Sequence, residues 1–137
     1  MDERLEELLS EFTGNTPAPA ESLTLLEQHF GKFGKKLPTD LREVLEASDG
    51  AEGFISKHYL MLWGAKETIE CNKSYEVDLY APGLILFGSD GGGEAYGFDT
   101  RPADAMPVVK VPFIGMALKY ANVEASTFTE FLEKLAR

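Results

Sequence analysis

Asp90, Glu94 and Asp99 stand close together in Leu84-Ile85-Leu86-Phe87-Gly88-Ser89-Asp90-Gly91-Gly92-Gly93-Glu94-Ala95-Tyr96-Gly97-Phe98-Asp99. Neighbouring carboxylates can serve as general acid and base. This stretch, however, reads as an apolar strand, a tight Gly-rich turn and a second strand of alternating character. On such a strand Glu94, Tyr96 and Phe98 point to one side, and Ala95, Gly97 and Asp99 to the other. Glu94 and Asp99 therefore oppose each other across the sheet, and Asp90 is placed to cap the turn by bonding its own backbone. Ser89 has no His nearby in sequence and no Gly-x-Ser-x-Gly elbow. His29 sits beside a helical stripe and reads as a boundary residue, and His58 as a solvated one. Cys71 lies amid Glu70, Lys73 and Glu76, with no cation cluster to activate its thiol. The expectation is a protein without catalytic residues.

The glycines invite a ligand-loop reading as well. A phosphate loop needs a Lys and a helix opening behind its glycines, because the anion rests on the helix N-terminus. Here Glu94 and a strand follow, and a dinucleotide site fails for the same reason. Calcium loops need a ladder of acidic ligands or stacked repeats, and this chain has one imperfect stretch. With one Cys and two His, the usual zinc sites are not expected either. Neither metal nor cofactor is expected. The hairpin reads instead as a structural or partner-contacting element.

Charge narrows the partner. There are 13 Lys and Arg against 23 Asp and Glu, for a net charge of −10. Nucleic acid and anionic membranes would be repelled, whereas a basic protein would be steered in. The plainer reading is that an acidic surface keeps a protein soluble. Trp63, preceded by Tyr59, Met61 and Leu62, is expected at the core or its edge. If exposed, it would make an interface anchor, with Tyr80 and Tyr96 behind it in rank. The candidate partner-binding residues are thus Trp63, Tyr80, Asp90, Glu94, Tyr96 and Asp99.

The elements that must position these residues follow from periodicity. Leu5, Leu8, Leu9 and Phe12 form one helical stripe, on a helix that also carries Asp2, Glu3, Glu6, Glu7 and Glu11. Gly14, Pro17 and Pro19 break it. A second helix starts near Glu21 or Ser22, with Leu23, Leu26 and Phe30 on one face, and ends at Gly31 and Gly34. A third opens at Leu37-Pro38-Thr39-Asp40 and closes at Asp49-Gly50, with Gly50 left-handed past its end. Tyr59 to Trp63 reads as a strand, Ala65 to Tyr80 as one helix, and Met106 to Val111 as a strand. Residues 112–123 fit either a strand or a short helix. Thr127-Phe128-Thr129-Glu130 is a capping box opening a helix with Phe128, Phe131, Leu132 and Leu135 on one face. Helices, then strands, then a final helix predict an α+β fold with an at least partly antiparallel sheet.

A chain of 137 residues fits one domain able to bury roughly two-thirds of its unfolded surface. The expected division is a variable N-terminal helix and linker over residues 1–20 and a core over 21–137. No apolar run approaches the ~18–20 residues of a membrane span. The acidic start is unlike a secretory signal, and a lone Cys fits the cytoplasm.

Several segments in order resemble the SUKH superfamily, which includes fungal cell-wall-assembly regulators and many bacterial immunity proteins. They are Leu37-Pro38-Thr39-Asp40-Leu41 with Ser48-Asp49-Gly50, the Pro82–Glu94 hairpin with Phe98-Asp99, Pro107-Val108-Val109-Lys110-Val111, and the closing Thr127–Leu132 helix. The resemblance covers about residues 22–137, with Asp49 standing where Asn is common. It implies an α+β domain with a central, mostly antiparallel sheet flanked by helices, and a protein-binding rather than catalytic role. For bacterial members that role is neutralising toxins, often nucleases, whose basic clefts suit an acidic inhibitor. A scaffold or regulator of another partner, and a small-ligand binder using the Gly-rich hairpin, stand as alternatives; homodimerisation is left open.

Overall fold

The hairpin read from the sequence is the centre of a larger sheet. In the computed structural model, which describes residues 1–137, six strands follow one another in chain order, each antiparallel to the next. They are β1 (Ala51–Ile55), β2 (His58–Leu62), β3 (Leu84–Ser89), β4 (Glu94–Asp99), β5 (Val108–Pro112) and β6 (Asn122–Ala125). The helices are α1 (Glu3–Leu8), α2 (Ala20–Gly31), α3 (Thr39–Ala47), α4 (Ala65–Ser74), α5 (Val77–Tyr80) and α6 (Phe128–Leu135). A 3₁₀ turn, Leu118–Tyr120, precedes β6 and resolves the segment left open by periodicity. The fold is α+β, as expected. No helix is long and apolar enough to cross a membrane.

Alternation along the strands divides the interior in two. One sheet face carries Ile55, Leu60, Leu62, Ile85, Phe87, Tyr96, Phe98 and Val108 into the main core. There they meet Leu5 and Leu8 of α1, Leu23, Leu26 and Phe30 of α2, Leu41, Val44 and Leu45 of α3, and the stripe of α6. Phe128, Phe131, Leu132 and Leu135 are buried as their spacing requires, and each such side chain contributes roughly 1.5–3 kcal/mol. Buried Leu5, Leu8 and Ala18, with the bridge from Thr13 to Glu52 of β1, tie the N-terminal segment to the domain.

The opposite face holds a smaller cluster: Trp63, Val77, Ala81, Leu84, Leu86, Ala95, Val109, Val111 and Met116. No long helix covers it, only α5 and the loop between β5 and β6. Here the single helix expected over Ala65–Tyr80 is corrected to two. Tyr75 ends α4, and Glu76 takes a left-handed φ of +52° before α5 begins. The break turns Val77 and Ala81 into the second cluster, which a straight helix on the register of Ile69 would not do.

β1 has no counterpart in the sequence reading, and β6 only the strand alternative left open for residues 112–123, which it enters at Asn122. β1 pairs with β2 through a two-residue turn at Ser56-Lys57, with Ser56 at φ +55°. β6 forms only against β5, across an irregularity at Val108/Val109. The α6 cap also differs in detail. Thr127 Oγ1 accepts from Glu130 N at 3.1 Å, but the Glu130 carboxylate takes the N–H of Ser126, not of Thr127.

Candidate partner-binding surface

The second sheet face becomes a surface where β1 and β2 run beyond the cover. The pairs Glu52↔Met61 and Phe54↔Tyr59 project there, with Trp63 next in the row. The Phe54 and Tyr59 rings meet edge to face at 5.0 Å, and Phe54 is 52% exposed. The Tyr59 hydroxyl donates to Glu52, a bond that holds its pKa above the ordinary phenol value. The β3–β4 turn leans on the same row. A Cβ at Gly91 would stand 2.9 Å from the Tyr59 ring, and Gly91 has φ +80°, so this glycine serves both close approach and turn geometry. Asp90 caps the turn as anticipated, its Oδ1 accepting from Gly92 N at 2.8 Å and Glu94 N at 3.2 Å.

Beside this row lies a recess of about 300 Å³ whose lining includes Asp49, Glu52, Glu67, Met61, Trp63 and Thr13, with no Lys or Arg. The fold orients its carboxylates. Asp49 Oδ1 accepts from Ala65 N at 2.8 Å, and Glu67 Oε1 from Gly64 N at 3.2 Å, both at the start of α4. The free N–H groups and dipole of a helix N-terminus favour those charges, and each carboxylate keeps an oxygen for the recess.

Beyond Trp63 comes an aromatic stack. Its ring lies 6.5 Å from Tyr75, nearly parallel, and 6.4 Å from Phe113, while Tyr75 and Phe113 are 4.7 Å apart. Tyr75, Tyr80, Phe113, Gly115 and Met116 line a cleft of about 340 Å³. Cys71 packs against this cluster half-buried, and burial followed by the nearby Glu67 and Glu70 charges pushes its thiol pKa up, away from reactivity.

The six candidate residues do not share one face. Trp63 and Tyr80 belong to this one, Trp63 largely buried beneath Tyr75 and Phe113 and Tyr80 bordering the cleft, while Asp90 sits at the hairpin tip, within reach of Tyr96. Glu94 and Tyr96 lie on the other face. Tyr96 is buried in the main core, 4.6 Å from Phe131, rather than presented as an anchor. Burial, then the charges of Asp90, Glu124 and Glu94, push its hydroxyl pKa up to about 12. Glu94 is half-buried, with Oε2 unpaired inside the protein. Asp99, at the far end of β4, is committed internally, since Arg101 Nε and Nη2 each donate to it at 2.9 Å and Arg101 N at 3.0 Å.

Sequence reasoning missed Asp49, Glu52, Phe54, Tyr59, Glu67, Tyr75, Phe113 and Ile114. A signal existed for Ile114: in Pro112-Phe113-Ile114-Gly115 an aliphatic residue sits in a turn, and it is 93% exposed. The Asp99–Arg101 pair makes a pH prediction. The Arg101 side-chain bonds hold the Asp99 pKa below the usual carboxylate value. Its stabilisation is therefore complete above about pH 4 and is lost as pH falls through the depressed folded-state pKa. Asp99→Asn should be less stable than the natural chain at neutral pH, the gap closing in acid; urea titrations at several pH values would measure it.

Fold and surface define a small α+β domain in which a six-stranded meander carries most helices on one face and leaves an acidic, aromatic surface on the other. The chain belongs to the SMI1 / KNR4 family (SUKH-1), whose family model matches residues 17–134. That family is known for toxin-immunity proteins and cell-wall regulators. No curated protein matches the sequence.

Proposed function

We propose that this protein is a non-catalytic binding module that recognises a basic protein through the second sheet face, in the manner of an immunity protein occluding a cationic, nuclease-like toxin domain. One observation carries the reading. The exposed Phe54–Tyr59–Met61 row and the Trp63 stack adjoin Asp49, Glu52 and Glu67, and no Lys or Arg lines the recess between them. Apolar anchors beside uncompensated carboxylates suit a partner that brings both apolar side chains and positive charge. The net charge of −10 adds long-range steering toward such a partner.

The test is capture from the source lysate at low and high salt, followed by association kinetics with the retained protein. A basic protein held at low salt and released at high salt is the expected result. With it, Glu52→Gln combined with Asp49→Asn keeps the hydrogen-bond acceptors but removes charge. Association at low salt should slow by on the order of tenfold and lose much of its salt dependence. An unchanged on-rate would exclude this surface, and retention of an acidic protein would exclude the basic partner.

A further inference from the structure

The cleft beyond Trp63 exposes more apolar surface than the fold requires. Val77, Ala81 and Met116 already bury the apolar side of α5 and the β5–β6 loop. Around it Tyr75 remains 43% exposed and Tyr80 53%, and Ile114, between the lining residues Phe113 and Gly115, is 93% exposed. Singly exposed apolar residues are ordinary, but a contiguous group of them marks a contact surface.

The backbone holds this group in place. Glu76, a non-glycine residue at φ +52°, separates α4 from α5, so that Tyr75 and Tyr80 border the cleft from either side of the break. A side chain with a Cβ rarely takes that left-handed conformation unless the surrounding structure holds it there. On the facing loop, Phe113 N donates to Gly93 O at 2.9 Å and Gly115 turns at φ +73°, which lifts Ile114 at the rim. The floor is the Trp63–Tyr75–Phe113 stack.

We infer that this cleft is the anchor pocket of the binding surface, taking a large apolar side chain that projects from a cationic segment of the partner, with Ile114 packing over it. The inference rests on the reading of a basic partner given above. Charge selects that occupant. Trp63, which stacks beneath Tyr75 and Phe113, also lines the neighbouring recess with Asp49, Glu52 and Glu67, where no Lys or Arg stands to meet a cationic segment. A second copy of the chain would bring one net charge of −10 against another.

Trp63 is the only tryptophan and lies under the cleft, so its fluorescence reports occupancy. The probe is a helix-forming Leu/Lys peptide about five turns long with its Leu residues on one face; a Leu/Glu peptide of the same pattern is the control. The expected result is a saturable change in Trp63 emission with the Lys peptide, weakened at least about tenfold by Ile114→Asp. Leu25→Asp, on the exposed side of α2, adds the same charge and should leave binding unchanged. Because Ile114→Asp makes the chain more acidic, purely electrostatic adhesion would strengthen, not weaken. Tyr80→Ala provides a second variant, and circular dichroism checks that both fold.

No saturable change, equal binding of the Glu peptide, or undiminished binding by Ile114→Asp would each overturn the inference. The two readings fail separately. Capture of a basic protein with undiminished affinity by Ile114→Asp would sink the anchor pocket alone, whereas cleft binding of the Lys peptide with retention of acidic proteins only would sink the basic-partner reading.

Discussion

Asn72→Ala should destabilise the protein by on the order of 3 kcal/mol, although residue 72 touches no proposed partner site. β2 pairs with β3 only at Met61↔Ser89 and Leu62↔Gly88, with Trp63 N adding a bond to Phe87 O. The chain then leaves the sheet for α4, and the N–H and C=O of Leu86 would face the helix without a strand. The Asn72 carboxamide supplies the missing peptide group. Its Oδ1 accepts from Leu86 N at 2.9 Å, while its Nδ2 donates to Leu86 O at 2.8 Å and to Thr68 O at 2.7 Å. Asn72 is 6% exposed and Leu86 fully buried, so water cannot replace these bonds without opening the packing. Alanine would orphan a buried donor and a buried acceptor, each costing roughly 1–3 kcal/mol.

Asn72→Asp sharpens the test. It keeps an acceptor for Leu86 N but sets a carboxylate against two carbonyl oxygens, and burial disfavours its charge. Its stability should rise as pH falls and the carboxyl becomes a donor, a direction opposite to that at Asp99. Urea unfolding of both variants, with amide exchange at Leu86, would measure the effect. A loss below about 1 kcal/mol for Asn72→Ala would mean the pair is satisfied some other way.

Gly88→Ala should cost about 3 kcal/mol and act at the same junction from the other side. A Cβ at Gly88 would stand 2.3 Å from Met61 O and 3.3 Å from Met61 C. These are backbone atoms of β2, not the flexible end of a side chain, so β2 must move away from β3. Only two register pairs join those strands, and both adjoin this contact. Amide exchange should show protection lost first in the β1–β2 hairpin while the β3–β4–β5 ladder persists. Because β1 and β2 carry Glu52, Phe54, Tyr59 and Met61, partner binding should weaken with the hairpin. Uniform loss of protection through all six strands would instead mean that the sheet opens as one unit.

Much of the frame was legible because it is written in short-range patterns. The β3–β4 hairpin declares itself by an apolar run, a Gly-rich turn and strict alternation, and that alternation correctly put Glu94 and Asp99 on opposite faces. The α6 stripe, the α2 and α3 faces and the left-handed Gly50 followed from periodicity and turn chemistry. The order of such motifs indicated the family. By contrast, β1 closes through Ser56-Lys57, which lacks the Gly or Asn that usually marks such a turn. The polar Asn122–Ala125 segment becomes a strand only because β5 offers it an edge.

The candidate surface divides along the same line. Alternation assigned Tyr96 to a face, but packing against Phe131 of α6 made that face interior. Asp99 carried charge in the sequence, and Arg101 claimed it in the structure. Trp63 and Tyr80 became neighbours of one aromatic cluster only because Glu76 turns the chain between α4 and α5. Local periodicity reports what a segment's own side chains do every second or fourth residue. Which sheet face is covered, which strand edge is completed by a side chain, and which charges remain free depend on contacts between residues distant in sequence. Tertiary packing decided those points.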